Sequence, residues 1–144
     1  MLLGAHDHTL DDKNRLTLPA KFRQEFEEGI VVTRGLDGCL YAYRRQDWAG
    51  IVERQLAGLD QLSKEGRRLH RYFFSGATES ELDKQGRVML PAALLEHAQL
   101  GREVVVAGVR DRLEIWDREA WRRELDQVEG SAEDVAERLA ARND

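Results

Sequence analysis

The sequence has a single cysteine, Cys39, so no intramolecular disulfide can form and stability has to come from packing and from association between chains. It has no long apolar run. Residues 104–109 form one of the longest, far short of the roughly 20 residues that span a bilayer. Met1-Leu2-Leu3 lacks the charged and apolar regions of a secretion signal, so the expectation is a cytoplasmic protein with no membrane partner. No Gly-rich phosphate loop, Ser-His-Asp order or metal-ligand cluster occurs, and the carboxylates form no evident catalytic pair. The reading is therefore no enzyme and no cofactor. A surplus of positive charge is also missing: 22 Lys and Arg face 27 Asp and Glu, a formal net charge of −5. That total argues against a nucleic-acid partner until its placement is considered. Residues 124–144 hold seven acids and two arginines, which leaves residues 1–123 balanced at twenty of each sign. Within the balanced part, Lys13, Arg15, Lys21 and Arg23 make one basic cluster. Arg67, Arg68 and Arg71 make another, read as a solvated helix face.

What is present is an internal repeat. Gly4-Ala5 and Leu10-Asp11-Asp12-Lys13-Asn14-Arg15-Leu16-Thr17-Leu18-Pro19-Ala20 match Gly76-Ala77 and Leu82-Asp83-Lys84-Gln85-Gly86-Arg87-Val88-Met89-Leu90-Pro91-Ala92 at a constant offset of 72. After a one-residue insertion, Gly35, Leu40 and Trp48 meet Gly108, Leu113 and Trp121 at an offset of 73. Each half translates into the same local structure. Residues 16–18 and 88–90 alternate as short strands, with Arg15 and Arg87 facing away from the apolar side. Pro19 and Pro91 suit a helix start, and Phe22 with Phe26 repeats at helical spacing before Gly29 ends a short helix. Residues 30–34 and 39–43 form a hairpin across Asp37-Gly38; residues 103–107 and 113–116 form its counterpart, with residues 109–112 as the turn. A longer helix follows each hairpin, the first over about residues 47–62, and a further helical stretch over residues 64–71 leads into Tyr72-Phe73-Phe74. Trp48 and Trp121 pack these helices onto the hairpins. The stretch after Glu129 is weakly amphipathic through Val135 and Leu139 and reads as a fraying tail. Halves of about 70 residues are marginal alone, so the two should share one core about a pseudo-twofold axis.

The ordered pair of motifs, Leu10-Asp11-x-Lys13-x-Arg15-Leu16-x-Leu18-Pro19-Ala20-Lys21-Phe22-Arg23 and Leu82-Asp83-x-x-Gly86-Arg87-x-x-x-Pro91, together with Glu114-Ile115-Trp116 and Trp121, resembles the MraZ family of bacterial regulators over roughly residues 3–122. That family lies within the AbrB/MazE-like swapped-hairpin group (SpoVT-AbrB domain). The resemblance implies an α+β, mainly β fold of two tandem swapped-hairpin halves forming one pseudo-twofold domain, with helices after each hairpin. The chain is accordingly read as a first swapped-hairpin half 1–48, a connecting helical segment 49–74, a second half 75–122 and an acidic tail 123–144 that matches no motif of the family. It also implies a homo-oligomer, a ring, acting at the nucleoid on double-stranded DNA through promoter direct repeats upstream of the division and cell-wall gene cluster. One departure is Asn14, where the family's first motif usually has glycine; asparagine is the next most tolerant of positive φ.

On this reading Arg15 is the first choice for base contact and Arg87 follows by the repeat, because guanidinium can donate two parallel hydrogen bonds to guanine. Lys13, Lys84, Lys21 and Arg23 suit phosphate contacts. Asp11 and Asp83 brace the loops, fixing the arginine fork or capping backbone N–H groups. An alternative reads Asp-x-x-x-Arg as a turn-bracing ion pair alone, and the chain as an antidote-like protein-binding module that uses its acidic tail. His6-x-His8 would be a metal site only if its repeat positions, Thr78 and Ser80, also offered ligands, which they do not. Cys39 reads as a small core residue.

Overall fold

In the computed structural model, which describes residues 1–143, the two halves exchange strands. From the first half come β1 (Leu2–Thr9), β2 (Arg15–Thr17), α1 (Ala20–Arg23) with a 3-10 turn (Gln24–Phe26), β3 (Ile30–Arg34) and β4 (Leu40–Arg44). Two helices, α2 (Arg45–Gln55) and α3 (Lys64–His70), the latter running into a π turn (Arg71–Ser75), lead to the second half. There β5 (Thr78–Ser80), β6 (Arg87–Met89), α4 (Ala92–His97), β7 (Glu103–Arg110) and β8 (Arg112–Asp117) repeat the pattern, and α5 (Arg118–Arg142) follows. β1 pairs with β7 of the other half, and β5 pairs with β3, giving a six-stranded antiparallel sheet in the order β1-β7-β8-β4-β3-β5. The remaining strands, β2 and β6, pair with each other as a separate ribbon.

Two residue pairs mark the pseudo-twofold axis. Leu16 faces Val88 at the centre of the ribbon, with Arg15 opposite Met89 and Thr17 opposite Arg87 on either side. Tyr41 faces Glu114 at the centre of the sheet, flanked by Leu40 opposite Ile115 and Ala42 opposite Leu113. The repeat found in the sequence is therefore a structural symmetry, and the fold is α+β with two repeated halves, as expected.

Both faces of the central sheet are covered, which explains why its strands read as nearly continuous apolar runs. Ile30, Val32, Leu40, Ala42, Val104, Val106, Leu113 and Ile115 join Leu16, Leu18, Phe22, Val88, Leu90 and Leu94 in one shared core under the ribbon. The alternate residues Tyr41, Tyr43, Val105 and Trp116 pack on the opposite face against Ile51, Val52 and Phe73. Full burial of each Leu or Ile contributes about 1.5 to 3 kcal/mol, and neither half could assemble this core alone. Trp48 lies 5.4 Å from the Tyr43 ring and Trp121 5.7 Å from Trp116, so each tryptophan packs its helix on its hairpin. Cys39 is a buried core residue whose Sγ donates to the Leu36 carbonyl at 3.2 Å.

Four local expectations are corrected. The helix expected over residues 47–62 ends at Gln55, since Gly58 takes φ +86° and Asp60 and Ser63 form a polar turn that caps α3 through the Gly66 N–H. Leu62, expected on the helix's apolar side, is 87% exposed. The turn expected at residues 109–112 shrinks to its tip, because β1 runs beside β7 as far as Leu2 opposite Arg110 and holds both strands extended. Gly108 is not the structural counterpart of Gly35: it faces Leu113 as Arg34 faces Leu40. Each glycine has its own cause, since a Cβ at Gly108 would stand 2.5 Å from the Leu3 nitrogen and one at Gly35 2.6 Å from the Tyr41 ring. Finally, residues 118–142 form one helix, started by the Asp117 carboxylate accepting from the Ala120 N–H. The stretch after Glu129 continues that helix rather than fraying, and a boundary at residue 123 falls inside it; Asp144 lies outside the described residues.

Candidate nucleic-acid interface

Each half presents one loop, and the two loops are built alike. Asp11 Oδ1 accepts the backbone N–H groups of Lys13 at 2.9 Å and Arg15 at 2.8 Å, while Oδ2 accepts Arg15 Nε at 2.7 Å. Asp83 does the same for Gln85 (2.9 Å), Arg87 N–H (2.9 Å) and Arg87 Nε (2.7 Å). The backbone closes with Asn14 N–H to the Asp11 carbonyl and Gly86 N–H to the Asp83 carbonyl. Both closing residues are left-handed, Asn14 at φ +59° and Gly86 at φ +75°. Asparagine therefore occupies the turn that glycine occupies in the second copy.

The loops also interlock across the axis. Leu18 N–H donates to the Gly86 carbonyl and Leu90 N–H to the Asn14 carbonyl, both at 3.0 Å. Arg87 Nη1 lies 4.0 Å from Asp11 Oδ2, so one carboxylate faces both arginines. The backbone N–H of Arg15, with the Arg15 guanidinium and the Lys13 N–H, holds the Asp11 carboxyl below the usual carboxylate range. Asp83 is lowered in the same way, first by the Arg87 N–H.

Because each aspartate binds only Nε, the outer nitrogens of Arg15 have no hydrogen-bond partner among the described residues. The outward face of the ribbon carries Arg15, Thr17, Arg87 and Met89, the last 65% exposed, while Leu16 and Val88 point into the core. A cavity of about 450 Å³ opens between Arg15, Arg87, Asp83 and Met89 on one side and Thr78 and Ser80 of β5 on the other. Thr78 and Ser80 lie a few residues before the second loop and line this cavity, a role not singled out from the sequence.

The other expected residues divide. Lys13 and Lys84 are exposed in the loops. Arg23 lies across the second loop: its Nε donates to the Leu18 carbonyl at 3.0 Å, and its Cδ would stand 2.6 Å from a Cβ at Gly86. Lys21 is directed elsewhere, with Nζ 5.2 Å from the Phe22 ring centre and close to Gly4 of β1. His6 meets Phe22 edge-on at 5.5 Å, and burial, with the nearby His6 and Arg23, lowers the His8 pKa. Among the described residues no group of three or more His, Cys, Asp or Glu is placed to hold a metal ion. No described helix is long and apolar enough to cross a membrane. Arg67 donates to the Gln61 and Leu62 carbonyls, so it holds the polar turn before α3 as well as lying on the helix.

Strand exchange between two halves, with a matched pair of aspartate-braced arginine loops on one ribbon, defines a tandem swapped-hairpin protein with a doubled loop surface. Comparison with known proteins places it further. The family model described as "MraZ protein, putative antitoxin-like" matches twice, over residues 1–71 and 73–143. A "Transcriptional regulator MraZ" of Caldicellulosiruptor saccharolyticus is 45% identical over 139 residues, covering 96% of each chain. Proteins of the same name from a Thermoanaerobacter species and from Ligilactobacillus salivarius are each 44% identical over the same share. The chain belongs to the MraZ family, a family of transcriptional regulators and not of enzymes.

Proposed function

We propose that the chain is a sequence-specific regulator that binds double-stranded DNA through the paired loops on the ribbon, with Arg15 and Arg87 reading bases. The observation that carries this reading is the bracing of both arginines through Nε, which fixes each fork and leaves the outer nitrogens of Arg15 available for the paired acceptors of guanine or phosphate, while Arg87 Nη1 also faces Asp11. Lys13 and Lys84 at the loops serve phosphate contacts, and Arg23 steadies the second loop besides offering charge. Lys21 contributes only at the margin of such a contact, given its place over Phe22. A ligand with its own approximate dyad, such as a DNA groove, suits a doubled loop.

Residues 1–123 carry no net charge, so one chain gains little from counterion release. A homo-oligomeric ring displaying the same loops on one face supplies affinity by multiplicity, and head-to-tail neighbours suit direct repeats. By family resemblance the site is a promoter upstream of the division and cell-wall gene cluster, in the nucleoid. The test is a mobility-shift titration on a duplex with tandem repeats taken from upstream of the protein's own gene, at fixed salt and with unrelated duplex as competitor. Wild type should bind selectively and Arg15→Ala should not, while both elute as the same oligomer. If wild type shows no selectivity, the reading is wrong.

A further inference from the structure

The last helix keeps an apolar stripe well past the point where its own fold has any use for it. Along α5, Trp121, Leu125, Val128, Ala132, Val135 and Leu139 follow one another at alternating steps of four and three residues, the spacing of a seam that packs on another surface. At its start the stripe is used, with Trp121 against Trp116 of β8. Beyond Leu125 the helix stands clear of its own chain: no residue of α5 is buried, and Val128, Val135 and Leu139 are exposed. The 17 residues from 126 to 142 make a projecting arm of about 25 Å.

The same chain holds an apolar groove that nothing fills. It lies between the end of α2 and the π turn, has a volume of about 470 Å³, and is lined by Leu36, Leu56, Leu59, Leu69, Phe73 and Arg112 among others. Arg112 is already paired with Glu114 at 2.7 Å and stacked on Tyr41, so the groove floor is neutral. The helix that contributes Leu69 to the lining is basic: residues 64–71 carry Lys64, Arg67, Arg68 and Arg71 against Glu65 alone. The arm is acidic: residues 126–142 carry Asp126, Glu129, Glu133, Asp134 and Glu137 against Arg138 and Arg142. Apolar stripe matches apolar groove, and the flanking charges are of opposite sign.

We infer that the arm of α5 docks in the α2–α3 groove of a second copy of this chain, giving a head-to-tail contact. Its own groove is not the receptor, because the arm leaves the body after Leu125. Pairing arm with arm would set acidic faces side by side, where like charges oppose association. A contact between two different surfaces leaves the pair with one free arm and one free groove, so it propagates until the ring closes. The inference deepens the ring reading above and rests on it for the presence of a second copy.

The test uses the full chain and two variants that change exposed positions only. In Val135→Glu/Leu139→Glu the stripe is interrupted, and in Leu59→Glu the groove lip is charged. Molar mass is read by light scattering on a sizing column, with circular dichroism to confirm folding. Wild type should be an oligomer, and each variant alone should lose assembly. An equimolar mixture of the two should form a dimer of one of each and nothing larger, because only one intact arm and one intact groove remain. If the arm variant keeps the wild-type mass, the docking is wrong while the ring stands. If Leu59→Glu assembles normally and only the arm variant dissociates, arm-to-arm pairing replaces it. A monomeric wild type overturns both the docking and the ring.

Discussion

At the scale of single residues, Arg15 and Asp11 do different work. Lysine at position 15 keeps the charge but offers no planar fork, so Arg15→Lys should keep salt-dependent, nonselective binding and lose selectivity. A bidentate base contact is worth about 1 to 3 kcal/mol of discrimination, so preference for the correct duplex should fall by a factor of roughly 5 to 150, measured by competition titration. The aspartates set the acid limit of the loops. Both carboxyls titrate below their usual range in the folded chain, so their bracing is present above the unfolded value and is lost as pH falls through the lowered one. The Arg15 and Arg87 backbone amide resonances should therefore hold constant from neutral pH down to about pH 4 and move together only below it. Movement near pH 6 would mean that another group governs the loops. The bracing of Arg15 by Asp11 was legible in the sequence because both partners lie in one five-residue motif. Arg23 was only half legible: its charge suggested phosphate, but its place over Gly86 depends on the ribbon that joins the halves.

At the scale of elements, the two loops offer a matched experiment, since they differ at the left-handed position. Gly86→Ala meets an unfavourable φ of +75° and the Arg23 Cδ, so it should cost about 1 to 3 kcal/mol in urea unfolding. Asn14→Gly needs no backbone change and should lie within about 0.5 kcal/mol of wild type. Equal effects at both positions would show that the loops do not share this turn. Hairpins, short helices and loops were readable because turn residues and apolar alternation agree with the final pairing. The readings that failed did so where a polar cap or a distant strand overrules periodicity. α2 stops before the left-handed Gly58, and Asp60 and Ser63 form the turn that caps α3, although Leu59 and Leu62 keep helical spacing; β1 straightens β7 past the expected turn. The projecting half of α5 looked like a fraying tail because it buries nothing within its own chain, and burial is what periodicity ordinarily reports.

At the scale of the whole molecule, the proposed ring draws its affinity from number rather than charge. A neutral body contacting one half-site makes few phosphate contacts, so binding to a single half-site should be weak and only mildly salt-dependent. Once a first pair of loops is engaged, a neighbouring copy held in the same assembly meets the next half-site at high effective concentration. The gain over a single half-site should be on the order of 10² to 10⁴ in apparent affinity. That gain exists only if consecutive half-sites present the same groove to consecutive subunits, which requires spacing near one helical turn, about 10 base pairs. Inserting about 5 base pairs between repeats turns the second site to the far side of the duplex, beyond a partner fixed on the near face. Fluorescence anisotropy on three duplexes, with one half-site, two in phase and two out of phase, should give tight binding for the in-phase pair alone. Equal affinity for all three would place recognition within a single chain and leave the oligomer without a part in choosing the site.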